Sequence, residues 1–292
     1  MAYENNQYGL SRIIPAAVAR EIRQRSKFGC VICRGAICQY EHIDPEFKDA
    51  TQHTAENICL MCGSCHGKVT GGQWSKEKVK DNYRHVQSDQ TVKPPYSEFD
   101  ISGGDWAIQL GPCTFNRPEA IFTVDGNHLL SFAPPETTGG PPRLSGVFCD
   151  GSGKTLLQIE DNIWTGNLAD TWDIEVIGPK ITIRKGRGKI ALQIVVEPPS
   201  GLRVTHLDMR MGLAVVRLSS LLEIVRDTAV GQIVFGIDGD CTGSESCALI
   251  DTSVALPVYH GIEMRGGVGI KLCDSGIVWG PAMDWFTSGG LR

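Results

Sequence analysis

Two Cys-x-x-Cys pairs, Cys30/Cys33 and Cys62/Cys65, constrain this chain more than any other feature. Four thiolates in two such knuckles suit one tetrahedral zinc ion, closed to water and therefore structural. The gap between the pairs exceeds that of an ordinary zinc ribbon, so the metal would clamp the base of a sizeable loop. The opening residues, MAYENNQYGLSRIIP, carry no basic-then-apolar signal pattern, and no run of 18 apolar residues occurs. The expected location is therefore the cytoplasm, with no membrane span. In a reducing compartment the eleven cysteines, an odd number, do not read as a disulfide framework. Cys38, Cys59, Cys113, Cys149, Cys241, Cys247 and Cys273 read instead as small apolar core residues.

Charge and patterning divide the chain in two. Residues 1–98 hold 13 Lys and Arg against 11 Asp and Glu, whereas residues 99–292 hold 15 against 22. The basic residues of the first part cluster at Arg20, Arg23, Arg25, Lys27 and Arg34, and again at Lys76, Lys78, Lys80 and Arg84. Such clusters can follow a phosphate backbone or form a solvated helix face. Residues 15–27 read as a helix, with Pro15 at its first position and Val18 and Ile22 on one face. Residues 37–47 read as a short strand entering a loop, and 57–61 as a second apolar stretch. Residues 75–84 read as a helix capped by Ser75. The polar, proline-containing stretch SDQTVKPPYS reads as a linker. The expected organisation is thus α+β: a zinc-stapled domain over 1–87, a linker over 88–98 and a mostly-β domain over 99–292. In that second part AIFTV, HLLSF, TWDIEVIG, KITIRKG, KIALQIVVE, AVVRL and QIVFGI alternate with turns. This is the pattern of a sandwich or barrel, with a β-solenoid as the alternative. LSSLLEIVRD, residues 218–227, reads as a single helix.

Between and beside the knuckles lie Glu41, His42, Asn57 and His66. A histidine titrates near neutrality and suits a general base, so His42 is the candidate. Glu41 and His66 offer a hard oxygen and an imidazole nitrogen to a divalent cation such as Mg²⁺ or Mn²⁺. His53, in the same loop, reads as a surface residue.

The segments CVIC, EHIDP, ENICLMC and CGSCHGK together resemble the HNH endonuclease family with its zinc-binding cysteines, over residues 28–70 or so. The resemblance implies a ββα-metal core and hydrolysis of DNA phosphodiester bonds. Glu41 and His66 would ligate the catalytic cation, His42 would be the base, and Asn57 would orient the base or support the metal. The chain departs from the family in two places. Glu41 stands where many members have Asp, and Lys68 follows the last histidine by two positions, not three. Phosphate contacts are expected from Arg20, Arg23, Lys27, Lys68, Lys76 and Lys80, with DNA preferred to RNA as partner. HNH modules joined to unrelated sensing domains resemble restriction and anti-phage effectors. Residues 99–292 would then recognise a target, regulate, or bring copies of the chain together. The rival expectation is a zinc module that binds nucleic acid without cutting it, or a β scaffold for a partner.

Three further motifs read as turns. CDGSGKT at 149–155 has Phe148 where a phosphate-binding loop needs its first glycine. DGDCTG at 238–243 starts like a calcium loop, but position twelve is Leu249. RKGRGK at 184–189 reads as an exposed hairpin tip with four basic residues.

Overall fold

The computed structural model describes residues 5–111, 113–118, 121, 123–124, 127–128, 130–212, 214–218, 222–228, 231–237, 240–248, 260–265, 268–273 and 278–279. The fold is mixed α+β, with many strands and few helices. None of its described helices is long and apolar enough to cross a membrane. Two compact units emerge. The first joins Met1–Ser97 to two later segments, Thr165–Gly178 and Ile183–Arg187. It is therefore broader than the 1–87 stretch expected from sequence.

The first unit is built on an antiparallel pair, β1 (Gln39–His42) and β2 (Ile58–Met61), in which His42 faces Ile58 and Glu41 faces Cys59. Every residue of β2 is buried. Alternate side chains of a strand point to opposite faces, and ICLM uses both. Ile58 and Leu60 join Ile22 of helix α1 (Ala16–Arg25) and Ala55, with Val18 and Ile14 packed alongside. Cys59 and Met61 join Cys65 and Val69 of helix α2 (Gly63–Thr70). They also meet Val79, Tyr83 and Val86 of helix α3 (Lys76–Ser88). The spacing of those three gives α3 one apolar face. Burial of each such side chain contributes roughly 1.5–3 kcal/mol. Ser75 caps α3, its Oγ accepting from Lys78 N at 3.2 Å. The helix runs on to Ser88, into the expected linker, and Tyr96–Glu98 is a short strand.

The second unit comprises Glu98–Trp164, Pro179–Thr182 and Gly188–Arg292. Two sheets run through this part of the chain, one of five strands and one of thirteen. Neither closes on itself among the described residues, so no barrel is formed there. Gly201–Met211 pairs antiparallel with Lys189–Glu197 and Ala214–Leu218, and parallel with Ala107–Leu110. Trp164 and Phe99 stack in the core, with ring centroids 6.3 Å apart.

The expected helix over 218–227 is corrected to strand. Ala214–Leu218 and Gly231–Ile237 both pair with Leu222–Thr228, and residues 219–221 lie outside the described residues. Its Ile, Val and Thr favour extended backbone, and ladders on both sides satisfy it, which a local window does not reveal. CDGSGKT is a turn: Asp150 Oδ1 accepts from the backbone N–H groups of Ser152 and Lys154 at 2.9 and 3.0 Å. In DGDCTG, residues 238 and 239 lie outside the described residues, as does Leu249, and Asp240 begins a strand. RKGRGK does turn between two strands, Lys180–Gly186 and Lys189–Glu197, with Arg187 and Lys189 exposed. Arg184 is withdrawn from the tip. Its Nη1 lies 3.1 Å from Asp173 Oδ2 and 3.0 Å from Glu175 Oε2.

Candidate metal and catalytic centre

The four knuckle cysteines converge, with their sulfur atoms all within 4.8 Å of one another. Ligands about 2.3 Å from a tetrahedral zinc lie roughly 3.8 Å apart, so the set fits that ion. Cys33 and Cys62 sulfurs are 3.5 Å apart. The backbone builds each knuckle. Cys62 caps α2, its Sγ accepting from Cys65 N at 3.5 Å. On the other side Cys30 N donates to Gly35 O and Arg34 N to Cys30 O, both at 2.9 Å. Burial, and then the neighbouring thiols, push the Cys33 thiol up to about 11. Burial also raises Cys65, whereas at Cys62 hydrogen bonds, chiefly from Cys65 N, outweigh burial and lower the thiol. Of the cysteines outside the knuckles, Cys59 and Cys149 are buried and Cys38 is half-buried. The side chains of Cys113, Cys241, Cys247 and Cys273 lie outside the described residues.

Arg34 ties the first knuckle down. Its backbone φ is +69°, a left-handed conformation uncommon for a side chain of this size. Its buried guanidinium donates to the carbonyls of Ser26, Lys27, Gly29, Cys30 and Lys93. Five carbonyls from the end of α1, the knuckle and the segment after α3 thus meet on one side chain.

Of the candidate catalytic residues, Glu41 on β1 and His66 on α2 come together. Glu41 Oε2 is 3.1 Å from His66 Nε2, although the residues are on different elements. Lys76 of α3 donates to Glu41 Oε1 and, at 3.1 Å, to the carbonyl of His42. Glu41 is 9% exposed, so its charge needs these partners. Two ligands at right angles on a cation of Mg²⁺ size lie roughly 3 Å apart, which the Glu41–His66 pair matches. His42 takes a separate set of neighbours. Its ring meets Phe47 edge-on at 5.3 Å, and its Nε2 lies 3.2 Å from His53 Nδ1. Burial, and then the neighbouring His53, push His42 down to about 4, so the imidazole is neutral at pH 7.

Asn57 approaches through its backbone, its carbonyl accepting from Ile43 N at 2.8 Å. It lines a cleft of about 330 Å³ with Arg25, Asp44, Lys80 and Arg84, a lining that includes neither Glu41 nor His66. His53 is corrected from a surface residue to a half-buried neighbour of His42. A histidine eleven positions away, across an irregular loop, has no spacing signal that would mark it.

The expected phosphate contacts fare unequally. Arg23 is corrected: it is buried and binds both carboxylate oxygens of Asp173, at 2.8 and 2.7 Å. Its charge is spent inside the protein. Lys76 belongs to the Glu41 cluster. Lys27 donates to Asp89 O at 2.7 Å, and Lys80 to Asp44 at 2.8 Å. Arg20 lies over the Trp172 ring and Lys68 over Trp74.

Comparison with known protein families, with curated proteins and with solved structures found no match.

Proposed function

We propose that this chain is a metal-dependent endonuclease of the HNH type that hydrolyses phosphodiester bonds of DNA. One observation carries the reading: Glu41 Oε2 and His66 Nε2 lie 3.1 Å apart where an antiparallel pair meets the following helix. Glu41 and His66 would hold a divalent cation such as Mg²⁺ or Mn²⁺. A bound cation of this kind supplies positive charge to the scissile phosphate and the departing oxygen. Lys76 fixes one carboxylate oxygen of Glu41 and leaves the other facing His66. His42, neutral at pH 7, takes the proton from the attacking water. The four-cysteine zinc holds the loop between β1 and β2 in register. The second unit would recognise a target, regulate or assemble copies. A restriction or anti-phage setting rests on the resemblance of the motif alone.

The test is nicking of supercoiled plasmid by the full chain with Mg²⁺ or Mn²⁺, with and without EDTA. Cleavage should require the metal, and Glu41→Gln and His66→Ala should abolish it. His42→Ala should lower the rate by about 10²–10⁴ while zinc content stays intact. DNA binding without cleavage under every metal would replace this reading with the non-catalytic zinc module.

A further inference from the structure

The loop between β1 and β2 carries a second histidine whose bonds dictate how His42 is protonated. His53 Nε2 lies 2.8 Å from the backbone carbonyl of Ser11. A carbonyl only accepts, so this nitrogen bears the hydrogen. In a neutral imidazole the other nitrogen, Nδ1, is then a bare acceptor. That nitrogen lies 3.2 Å from His42 Nε2. With His53 neutral, His42 Nε2–H donates to it, which leaves Nδ1 as the bare nitrogen of His42.

We propose that His53 is a positioning residue that holds His42 in the Nε2–H tautomer and so assigns Nδ1 of His42 as the atom that takes the proton. The proposal rests on the nuclease reading of the site. Ser11, His53 and His42 form a directional chain: His42 Nε2–H to His53 Nδ1, and His53 Nε2–H to Ser11 O. The direction is set at the Ser11 end, by a group that cannot donate. His53 thereby fixes both the tautomer of His42 and the rotation of its ring.

The segment that carries this carbonyl is itself held. Asn6 Nδ2 donates to the carbonyls of Phe47 and Ala50, each at 2.6 Å, and Gln7 Nε2 to Asp49 at 3.0 Å. Arg12 lies over the Phe47 ring, 4.5 Å from its centroid. The segment 5–12 is thus bound along the loop that bears His53. Phe47 in turn contacts the His42 ring.

The experiment uses the full chain labelled with ¹⁵N-histidine at neutral pH. With seven histidines, single substitutions assign the spectrum. A slowly exchanging proton on His42 Nε2, with scalar coupling across the hydrogen bond to an unprotonated His53 Nδ1, is the expected signature. A proton on His53 Nδ1 and a bare His42 Nε2 would overturn the proposal, as would two rings without coupling. His53→Ala should remove the coupled proton and lower kcat on plasmid about tenfold to a hundredfold, with KM unchanged. His53→Asn, whose amide oxygen can still accept from His42, should recover most of that loss. Equal rates for the wild-type, Ala and Asn proteins would refute a positioning role. The coupling is read without catalysis. Metal-dependent cleavage by a chain that lacks it sinks this inference alone. The coupling in a chain that never cleaves DNA sinks the nuclease reading, and the positioning role with it.

Discussion

Arg34 shows how much one residue can hold. It carries a full charge in a buried place, with no ion-pair partner on its guanidinium among the described residues, and its hydrogens meet carbonyl dipoles instead. Burial lowers its pKa from the usual arginine value, yet a guanidinium stays charged in proteins. The carbonyls of Ser26 and Lys27 are at the end of α1, and that of Cys30 is in the knuckle, so loss of the side chain strands several at once. Arg34→Ala should destabilise the first unit by about 3 kcal/mol. Arg34→Lys should recover little of it, because an ammonium cannot reach carbonyls arranged around a planar fork. Urea unfolding of the zinc-loaded chain gives both values, and an Arg34→Lys protein as stable as wild type would refute the account. The Arg34 side chain had no legible role in the sequence, where it read as one of a basic cluster. Burial decided otherwise.

At the scale of elements, the four-cysteine cluster and α2 depend on each other. Cys62 is both a knuckle cysteine and the cap of α2, and α2 carries His66. Cys62→Ser should therefore abolish zinc binding and, with it, the support of the helix that presents His66. Structural zinc supplies on the order of 10 kcal/mol of folding free energy, so the first unit should unfold and not merely soften. Metal analysis and far-UV circular dichroism of the variant check this. Acid should act in the same direction. Zinc binds thiolates, while the metal-free, unfolded chain takes up protons on its thiols, so stability contributed by zinc is present at higher pH and lost as pH falls. Zinc retention followed during acid titration should fall before the second unit unfolds, and full retention in an unfolded first unit would contradict it.

For the molecule as a whole, the first unit is not a contiguous piece of chain. Arg23 is joined to Asp173, 150 positions away, and to Glu175 at 2.9 Å. Arg23 Nη1 also donates to Tyr40 Oη at 2.7 Å, and Gln24 Nε2 to Trp172 O at 2.6 Å. A fragment of residues 1–97 would keep the four cysteines but expose these groups without partners. We expect it to bind zinc yet to be markedly less stable than the same residues within the full chain. Asp173→Ala in the full chain should cost on the order of 3 kcal/mol, because it leaves Arg23 with less than its full complement of charge. Thermal unfolding monitored on the first unit tests both, and a 1–97 fragment as stable as the intact unit would show that the later segments are dispensable.

The sequence by itself determined whatever is written at short range. The Cys-x-x-Cys spacing brings two sulfurs together through one local turn, so the four-cysteine cluster was legible. So were α1, the capped α3, and the short strand that carries Glu41 and His42, because periodicity and capping act over a few residues. Tertiary structure alone decided which polar groups share a partner. Ser11 with His53, Lys76 with Glu41 and Asp173 with Arg23 are joined by hydrogen bonds between distant residues. The strand at Leu222–Thr228 was likewise settled by neighbours on both sides, which satisfy a backbone that its Ile, Val and Thr already favour. The physical reason is the same in each case. A buried charge or an unpaired backbone group is costly enough to be satisfied wherever the fold brings a partner, and no local pattern records which distant residue that will be.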